Sequence, residues 1–536
     1  MNNGIIITDI FWDRIYINII FEGYDIENKK IYVISKKEKY EFDLEKIDAN
    51  KCKLVLNITN IKDGKMFSND NYSFKEEVDG NLKDIHITVD LAYKLEDLDR
   101  IYRYKKDNFA YTINFEVKSV EEEYFSISLK SRFLKENEEF NNYKKKKKYI
   151  KKFSVLVAKN VLNCIYKVFS AIHPKKEKHI LLMSETRSPI SGNLKALDER
   201  IKQRKINENY KIEYSFFKTL ESKKAKMILN WIKLLWKISK QQYIFLDDYS
   251  PLFKFINLNK NTKLIQVWHA GVGFKSVGYA RFGFGGPEPY NSCHRKYDYA
   301  IVGSEALIPV YQEVFGISAD KILPYGLPRL DNYLDKNRMQ EIKEKLYNTY
   351  SYLKENKIII FAPTFRGRGQ EKAYYPYEVL DLNKIYELCK KQGYIFIIKM
   401  HPFVRKQIII PEEFQDRIID FSGYSDINDL LYVADILITD YSSNIYDFSL
   451  LKKPILFYTF DLDRYQLINK VHRSLREYAP GKICMNIDEL INAIENQDFE
   501  IEKLEKFVQE NFNKTDKKST DLIIDNIILK GDKDVK

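Results

Sequence analysis

A histidine that ends an apolar run and is followed at once by glycines and a lysine is placed to do chemistry. His269 stands so in "KLIQVWHAGVGFK", with Gly271, Gly273 and Lys275 behind it. The run reads as a buried strand, the glycines let the backbone turn closely around a ligand, and the lysine adds charge. Other strand ends carry related residues: Gly326 and Arg329 in "YGLPRLD", Thr364 and Arg366 in "FAPTFRGRG", His401 in "KMHPF", and Asp440, Ser442 and Ser443 in "TDYSSN". Arginine forks suit phosphate, and a Ser-Ser pair at a helix start aims hydroxyls and free N–H groups at an anion. A histidine of near-neutral pKa can take the proton of an alcohol as it attacks phosphorus, or steady charge on the phosphate. Together these residues read as a site that transfers a phosphorus-linked or sugar group from a nucleotide donor to a hydroxyl. Singly they are ordinary, since "TDYSSN" alone is a common helix cap. "DLD" at 461–463 imitates a metal-binding Asp-x-Asp, but its recurrence at 97–99 deprives it of weight. There is no Walker A and no G-x-G-x-x-G, and nothing calls for a metal or a cofactor.

The elements that must position these residues fall into four parts. Residues 1–135 alternate in the strand manner, as in "RIYINIIFEG" and "DIHITVDLAY", and predict an all-β, sandwich-like accessory domain without a catalytic constellation. His86 reads there as a surface or edge-strand residue. Residues 136–178 are a lysine-rich linker and amphipathic helix, whose apolar stripe runs through Phe153, Leu156, Val157, Val161, Cys164, Ile165 and Phe169. From 179 strands and helices alternate in two series, 179–350 and 351–536, which predict two doubly wound α/β lobes with a cleft between them. "KKAKMILNWIKLLWKISK" at 223–240 reads as a core helix of the first lobe. His173, His179, His294 and His472 read as structural or solvent-exposed.

At 536 residues the chain exceeds one ordinary core. Its net charge of +12 is concentrated: residues 144–178 hold twelve lysines against the single acid Glu177, which leaves the rest nearly neutral. That excess, led by Lys144, Lys145, Lys146, Lys147, Lys148, Lys151 and Lys152, favours an amphipathic element on an anionic membrane over a solvated linker helix, and no nucleic-acid partner is implied. The five scattered cysteines read as reduced thiols. Neither a cleavable signal nor a spanning apolar run of about 18 residues is evident, so a protein neither secreted by a standard signal nor integral is expected.

"WHAGVGFKSVGY", "YGLPRLD", "FAPTFRG", "KMHP" and "ITDYSSNIYDFSLLKKPILFYTFDLDRY" occur in this order. As a set they resemble the CDP-glycerol glycerophosphotransferase family of teichoic acid polymerases, including its ribitol-phosphate members, over roughly residues 180–515. The resemblance implies a GT-B fold, a CDP-glycerol or CDP-ribitol donor, and a polyol-phosphate or glycan acceptor on a lipid carrier. It also implies a peripheral place on the cytoplasmic face of the cell membrane. His269 and His401 match the family's two essential histidines. Arg366, Asp440, Ser442 and Ser443 match donor-contacting positions, and "SGNLKAL" at 191–197 resembles a segment near the acceptor side. Many glycerol-type members read Trp-His-Gly-Thr-Pro; the Ala270-Gly271 form here is closer to members acting on ribitol or in mixed-polyol pathways. Two rival functions remain: a nucleotide-sugar glycosyltransferase of surface polysaccharide synthesis, and a non-catalytic polymer-binding relative.

Overall fold

The structure is a computed structural model, and it describes residues 4–530 apart from 27–28, 63, 105–108, 122–123, 136–141, 174–176, 187, 218–223, 269–276, 282–291, 368–370, 470–472 and 513–516. The N-terminal part is mostly β; within the stretch read as a strand at 84–93 strand pairing ends at Ile87, and Val89–Lys94 is a short helix capped by Thr88, whose hydroxyl accepts the Leu91 N–H. Nine of its twelve described strands run in the spatial order Lys39–Phe42, Ile31–Ile34, Asp70–Val78, Tyr124–Lys135, His86–Ile87, Ile6–Asp13, Tyr16–Glu22, Lys51–Asn57 and Glu45–Lys46; Asn81–Asp84 pairs with Asp70–Val78, and Phe109–Glu121 pairs with both Tyr124–Lys135 and Arg100–Tyr104. All pairings are antiparallel except that of His86–Ile87 with Ile6–Ile7. Instead of two separate sheets there is one continuous network. Val33 near one end and Leu54 near the other belong to the same core, although flat strands at roughly 4.8 Å per step would hold them far apart. The sheet therefore folds over onto itself. His86 is flanked by strands on both sides, so it is not an edge residue.

Two six-stranded parallel sheets follow. The first runs Lys211–Phe216, His179–Ser184, Tyr243–Leu246, Lys263–Gln266, Tyr299–Ile301 and Ile322–Leu323. The second runs Ile418–Asp420, Tyr394–Ile398, Lys357–Phe361, Ile436–Thr439, Ile455–Tyr458 and Lys482–Cys484. Strands such as Tyr394–Ile398 and Ile436–Thr439 are buried at every position, as sheets covered on both faces require. Separate cores lie on the two faces of each sheet. Helices are punctuated by local chemistry: Leu382–Gln392 starts at Asp381, whose carboxylate accepts the Lys384 N–H, and stops at Gly393 with φ of 73°.

The helix Asn142–Ile172 bears the lysine run, and its side chains are described from Val157 onward. Leu162 and Tyr166 are buried in the core of the first parallel sheet, with Ile165 and Phe169 packed beside them. Phe169 meets Trp236 of the helix Lys224–Ile238 edge-on at 5.0 Å. Val157, Val161, Cys164, Val168 and Ile172 are exposed. The predicted stripe is thus split: part of it packs against the protein and part faces out. The Lys224–Ile238 helix is a core helix as predicted, with Trp231, Leu234, Leu235 and Ile238 buried. Among the described residues, no helix is long and apolar enough to cross a membrane.

The chain returns at its end to the first sheet. Ile523, Ile524, Ile527 and Ile528 complete the core that holds Ile180, Leu182 and Val267. Asp331 accepts the Ser519 and Thr520 N–H groups at 2.7 and 2.9 Å, while Arg200 and Arg204 pair with Asp521 and Asp525.

Candidate functional site

In the second sheet the strand order reverses between Lys357–Phe361 and Ile436–Thr439, and the crevice at such a switch point is where open α/β sheets bind ligands. Thr364 and Arg366 follow the first of these strands, and Asp440, Ser442 and Ser443 follow the second. Asp440 is fully buried and accepts the Thr364 N–H at 2.7 Å, which ties the two strand ends together.

Arg366 is only 7% exposed. Its Nη1 donates to Asp440 at 2.9 Å and to the Thr364 carbonyl at 2.6 Å, while Nε and Nη2 fork onto Asp461 at 2.7 and 2.9 Å. Tyr375, Tyr441, Phe460 and Tyr465 surround the guanidinium at 5.2–5.6 Å from their ring centres. Burial opposes the charge, but Asp440 and Asp461 outweigh it and hold the guanidinium well above its usual pKa. Arg366 and Asp440, which the resemblance placed on the donor, are therefore engaged with each other. The reason is carboxylate geometry: two acids take the fork that a phosphate would use. Asp461, discounted in "DLD", is the partner that sequence reasoning missed. Its own motif gave no reason to join it to an arginine 95 residues away.

His401 follows the strand Tyr394–Ile398 and packs between Phe365 and Phe403, at 4.8 and 4.7 Å between ring centres. Its Nδ1 accepts the Phe403 N–H at 3.2 Å, so the neutral ring carries its proton on Nε2. That tautomer suits donation to a phosphate oxygen. Ser442 and Ser443 are half-buried, and Ser442 Oγ accepts the Asn444 N–H at 3.3 Å.

In the first sheet, His269, Gly271, Gly273 and Lys275 lie outside the described residues. The strand end that leads to them is described. Trp268 has φ of 44°, the left-handed region, and its ring is buried against Phe315 and His294. Asn193, in the first turn of the helix Gly192–Gln203, donates from Nδ2 to the carbonyls of Val267 and Trp268. Its Oδ1 accepts the Arg329 N–H at 3.0 Å. Arg329 forks onto Asp447 at 2.8 and 2.7 Å, an ion pair that joins the end of the first sheet to the helix Asn444–Ser449 of the second. That fork is occupied, as Arg366's is. Gly326 has φ of 87°, and a Cβ there would lie 2.2 Å from Ser519 Oγ, so the close approach it allows is to the returning chain. A cleft beside the ion pair is lined by Lys195, Glu199, Arg338, Asp426, Asn428 and Asp429. Among the described residues no cluster of His, Cys, Asp or Glu could hold a metal ion. Of the lysines in the basic run, Lys144 to Lys148, Lys151 and Lys152 lie on the 142–172 helix, but their side chains are outside the described residues.

Known proteins resemble the chain in sequence and in fold. Residues 165–529 match the family described as CDP-glycerol:poly(glycerophosphate) glycerophosphotransferase. A teichoic acid poly(ribitol-phosphate) polymerase of Bacillus spizizenii is 34% identical over 73% of this chain and 62% of its own length. The teichoic acid ribitol-phosphate polymerase TarK of Staphylococcus aureus is 35% identical, over 68% of this chain and 71% of its own. In fold, the chain is similar to the wall teichoic acid polymerase TagF, with a TM-score of 0.56 at 23% identity, covering 74% of this chain and all of that one. A matched family pattern over two-thirds of the residues and two such relatives settle its kinship: the chain belongs to the CDP-glycerol:poly(glycerophosphate) glycerophosphotransferase family.

Proposed function

We propose that the chain transfers glycerol phosphate or ribitol phosphate from its CDP-activated form to a hydroxyl of a growing teichoic-acid-like or capsular polymer, releasing CMP. The acceptor oxygen bonds to the donor's β-phosphorus, the bond from that phosphorus to the bridging oxygen breaks, and the hydroxyl proton passes to His269 as general base. His401 donates from Nε2 to the diphosphate, and the Ser442 and Ser443 hydroxyls hold its oxygens. Lys275, six residues further along the chain than His269, adds positive charge. Arg366, Asp440 and Asp461 act one step back, fixing the Thr364 and Tyr441 backbone at the crevice. The observation that carries this reading, beyond kinship, is that Thr364 and Ser442 follow the two strands of the switch point, tied through the Thr364 N–H to Asp440, while His401 at the neighbouring strand end packs on Phe365.

The same reading divides the chain into a β accessory domain (1–135), a basic linker helix (136–178), and a GT-B pair of lobes. The acceptor lobe is 179–350 and the donor lobe 351–536. The enzyme works at the cytoplasmic face of the cell membrane on a lipid-carried acceptor. The exposed apolar row of the 142–172 helix, continuous with the lysine run, supports that docking.

CMP release measured with CDP-ribitol, CDP-glycerol and a set of nucleotide sugars tests the function. Turnover of one or both CDP-polyols is expected, and turnover of sugar donors alone would replace this reading with a glycosyltransferase. His269→Ala is expected to lose about 10²–10⁴-fold in kcat, while donor affinity by calorimetry stays close to wild type.

A further inference from the structure

We propose that Asn193 is a positioning residue, holding the backbone of Trp268 so that the next residue, His269, meets the acceptor hydroxyl. The inference rests on the reading of His269 as the base. Trp268 is the residue whose backbone most needs holding, because φ of 44° is unfavourable for a side chain with a Cβ, and a bulky ring there is an outlier. Both of its peptide groups are gripped by buried amides. Gln266 Oε1 accepts the Trp268 N–H at 2.9 Å, and Asn193 Nδ2 donates to the Trp268 carbonyl. The second group is the peptide that joins Trp268 to His269.

Neither amide is able to turn around. Gln266 Nε2 donates to the Asp248 carbonyl at 3.1 Å and to the Tyr297 hydroxyl at 3.0 Å. That hydroxyl also lies 3.0 Å from His294 Nδ1. Asn193 Oδ1 is taken by the Arg329 N–H, so its NH₂ must face Val267 and Trp268. Asn193 and Gln266 are 1% and 0% exposed, so bulk water does not compete for these bonds. An asparagine that merely sealed a strand end would have no need to grip a bulky residue held in the left-handed region.

Asn193→Asp separates the roles of the two ends of the side chain. It keeps an oxygen for the Arg329 N–H but replaces the NH₂ with an acceptor facing two carbonyls. The expected result is a fall in kcat of about 10²-fold, as for a displacement of roughly 1 Å at the reacting group. KM for the CDP-polyol and its calorimetric affinity should stay within about twofold, measured at a temperature where the variant is still folded, because a buried carboxyl facing two carbonyls also costs stability. Asn193→Ser, neutral and shorter, should behave alike. Wild-type kcat in Asn193→Asp, or a loss found only in KM, would overturn the proposal; so would loss of the fold in both variants, which would make Asn193 a stability determinant. His269→Ala is assayed alongside. If it stays active the base assignment fails, whereas an inactive His269→Ala beside an active Asn193→Asp sinks only the positioning role.

Discussion

Arg366 carries its charge into a place that water hardly reaches, and two carboxylates meet it there. Three charges summing to minus one would repel a diphosphate if they faced it. Their value lies in rigidity: a fork on Asp461 and a third bond to Asp440 hold both strand ends at the switch point. The residue types at these strand ends were legible because each stands next to a buried run. Their pairings were not, since Asp440 and Asp461 reach Arg366 across 74 and 95 residues. His294 shows the same limit. Read from the sequence as structural or solvent-exposed, it is buried, stacked on Phe315 at 5.1 Å, with Nδ1 3.0 Å from the Tyr297 hydroxyl. Burial pushes its pKa down to about 4, with Asp248 opposing weakly. The unfolded chain takes up this proton below about 6.5, whereas the folded one resists it until about 4. Stability from this group is therefore level above pH 6.5, falls as pH drops from 6.5 towards 4, and is level again below. The loss should approach about 3 kcal/mol. Urea midpoints of wild type and His294→Phe across pH 7 to 4.5 check this: the variant should show the shallower acid slope, and equal slopes would refute the assignment.

At the scale of elements, the 142–172 helix has two apolar faces about a third of a turn apart. Leu162, Ile165, Tyr166 and Phe169 meet the protein, whereas Val157, Val161, Cys164, Val168 and Ile172 do not. A 3.6-residue period reveals that a helix is amphipathic; it does not say which half of a broad apolar arc finds a partner. For this reason the stripe was legible and its division was not. The parallel strands were read more easily, since runs buried on both faces are apolar throughout. In the β part, alternation gave the strands, but the fold-over of one sheet depends on pairings between distant strands that alternation does not encode. The division of the helix predicts two distinct losses. Val161→Asp with Val168→Asp should abolish sedimentation with anionic vesicles while activity on a short soluble acceptor persists. Leu162→Ala should leave sedimentation intact and cost about 2–4 kcal/mol of stability. Unchanged sedimentation of the double variant would assign the docking surface elsewhere.

Across the whole molecule, three kinds of contact make one body of parts far apart in sequence. Arg14 pairs with Glu313 at 3.0 Å and Arg295 donates to the Thr59 carbonyl, fastening the β part beside the residues that pack on Trp268. Arg329 and Asp447 join the two parallel sheets, with Leu327, Leu330, Tyr333 and Tyr432 forming a small core next to them. The third contact is the return of residues 519–529 to the first sheet. Ending the chain after residue 518 should leave a product that binds a hydrophobic dye and aggregates, and Asp331→Ala should do so more weakly; a soluble, cooperatively melting truncation would show that this cover is dispensable. The return also imposes a schedule on biosynthesis. The last strand of the first sheet, Ile322–Leu323, leaves the ribosome some two hundred residues before Ile523 is made. At about 5–20 residues per second, one face of that sheet waits roughly 10–40 s for its lid. The first parallel sheet is therefore expected to close its core only after Ile528 is made, while the β part, with a core of its own, need not wait.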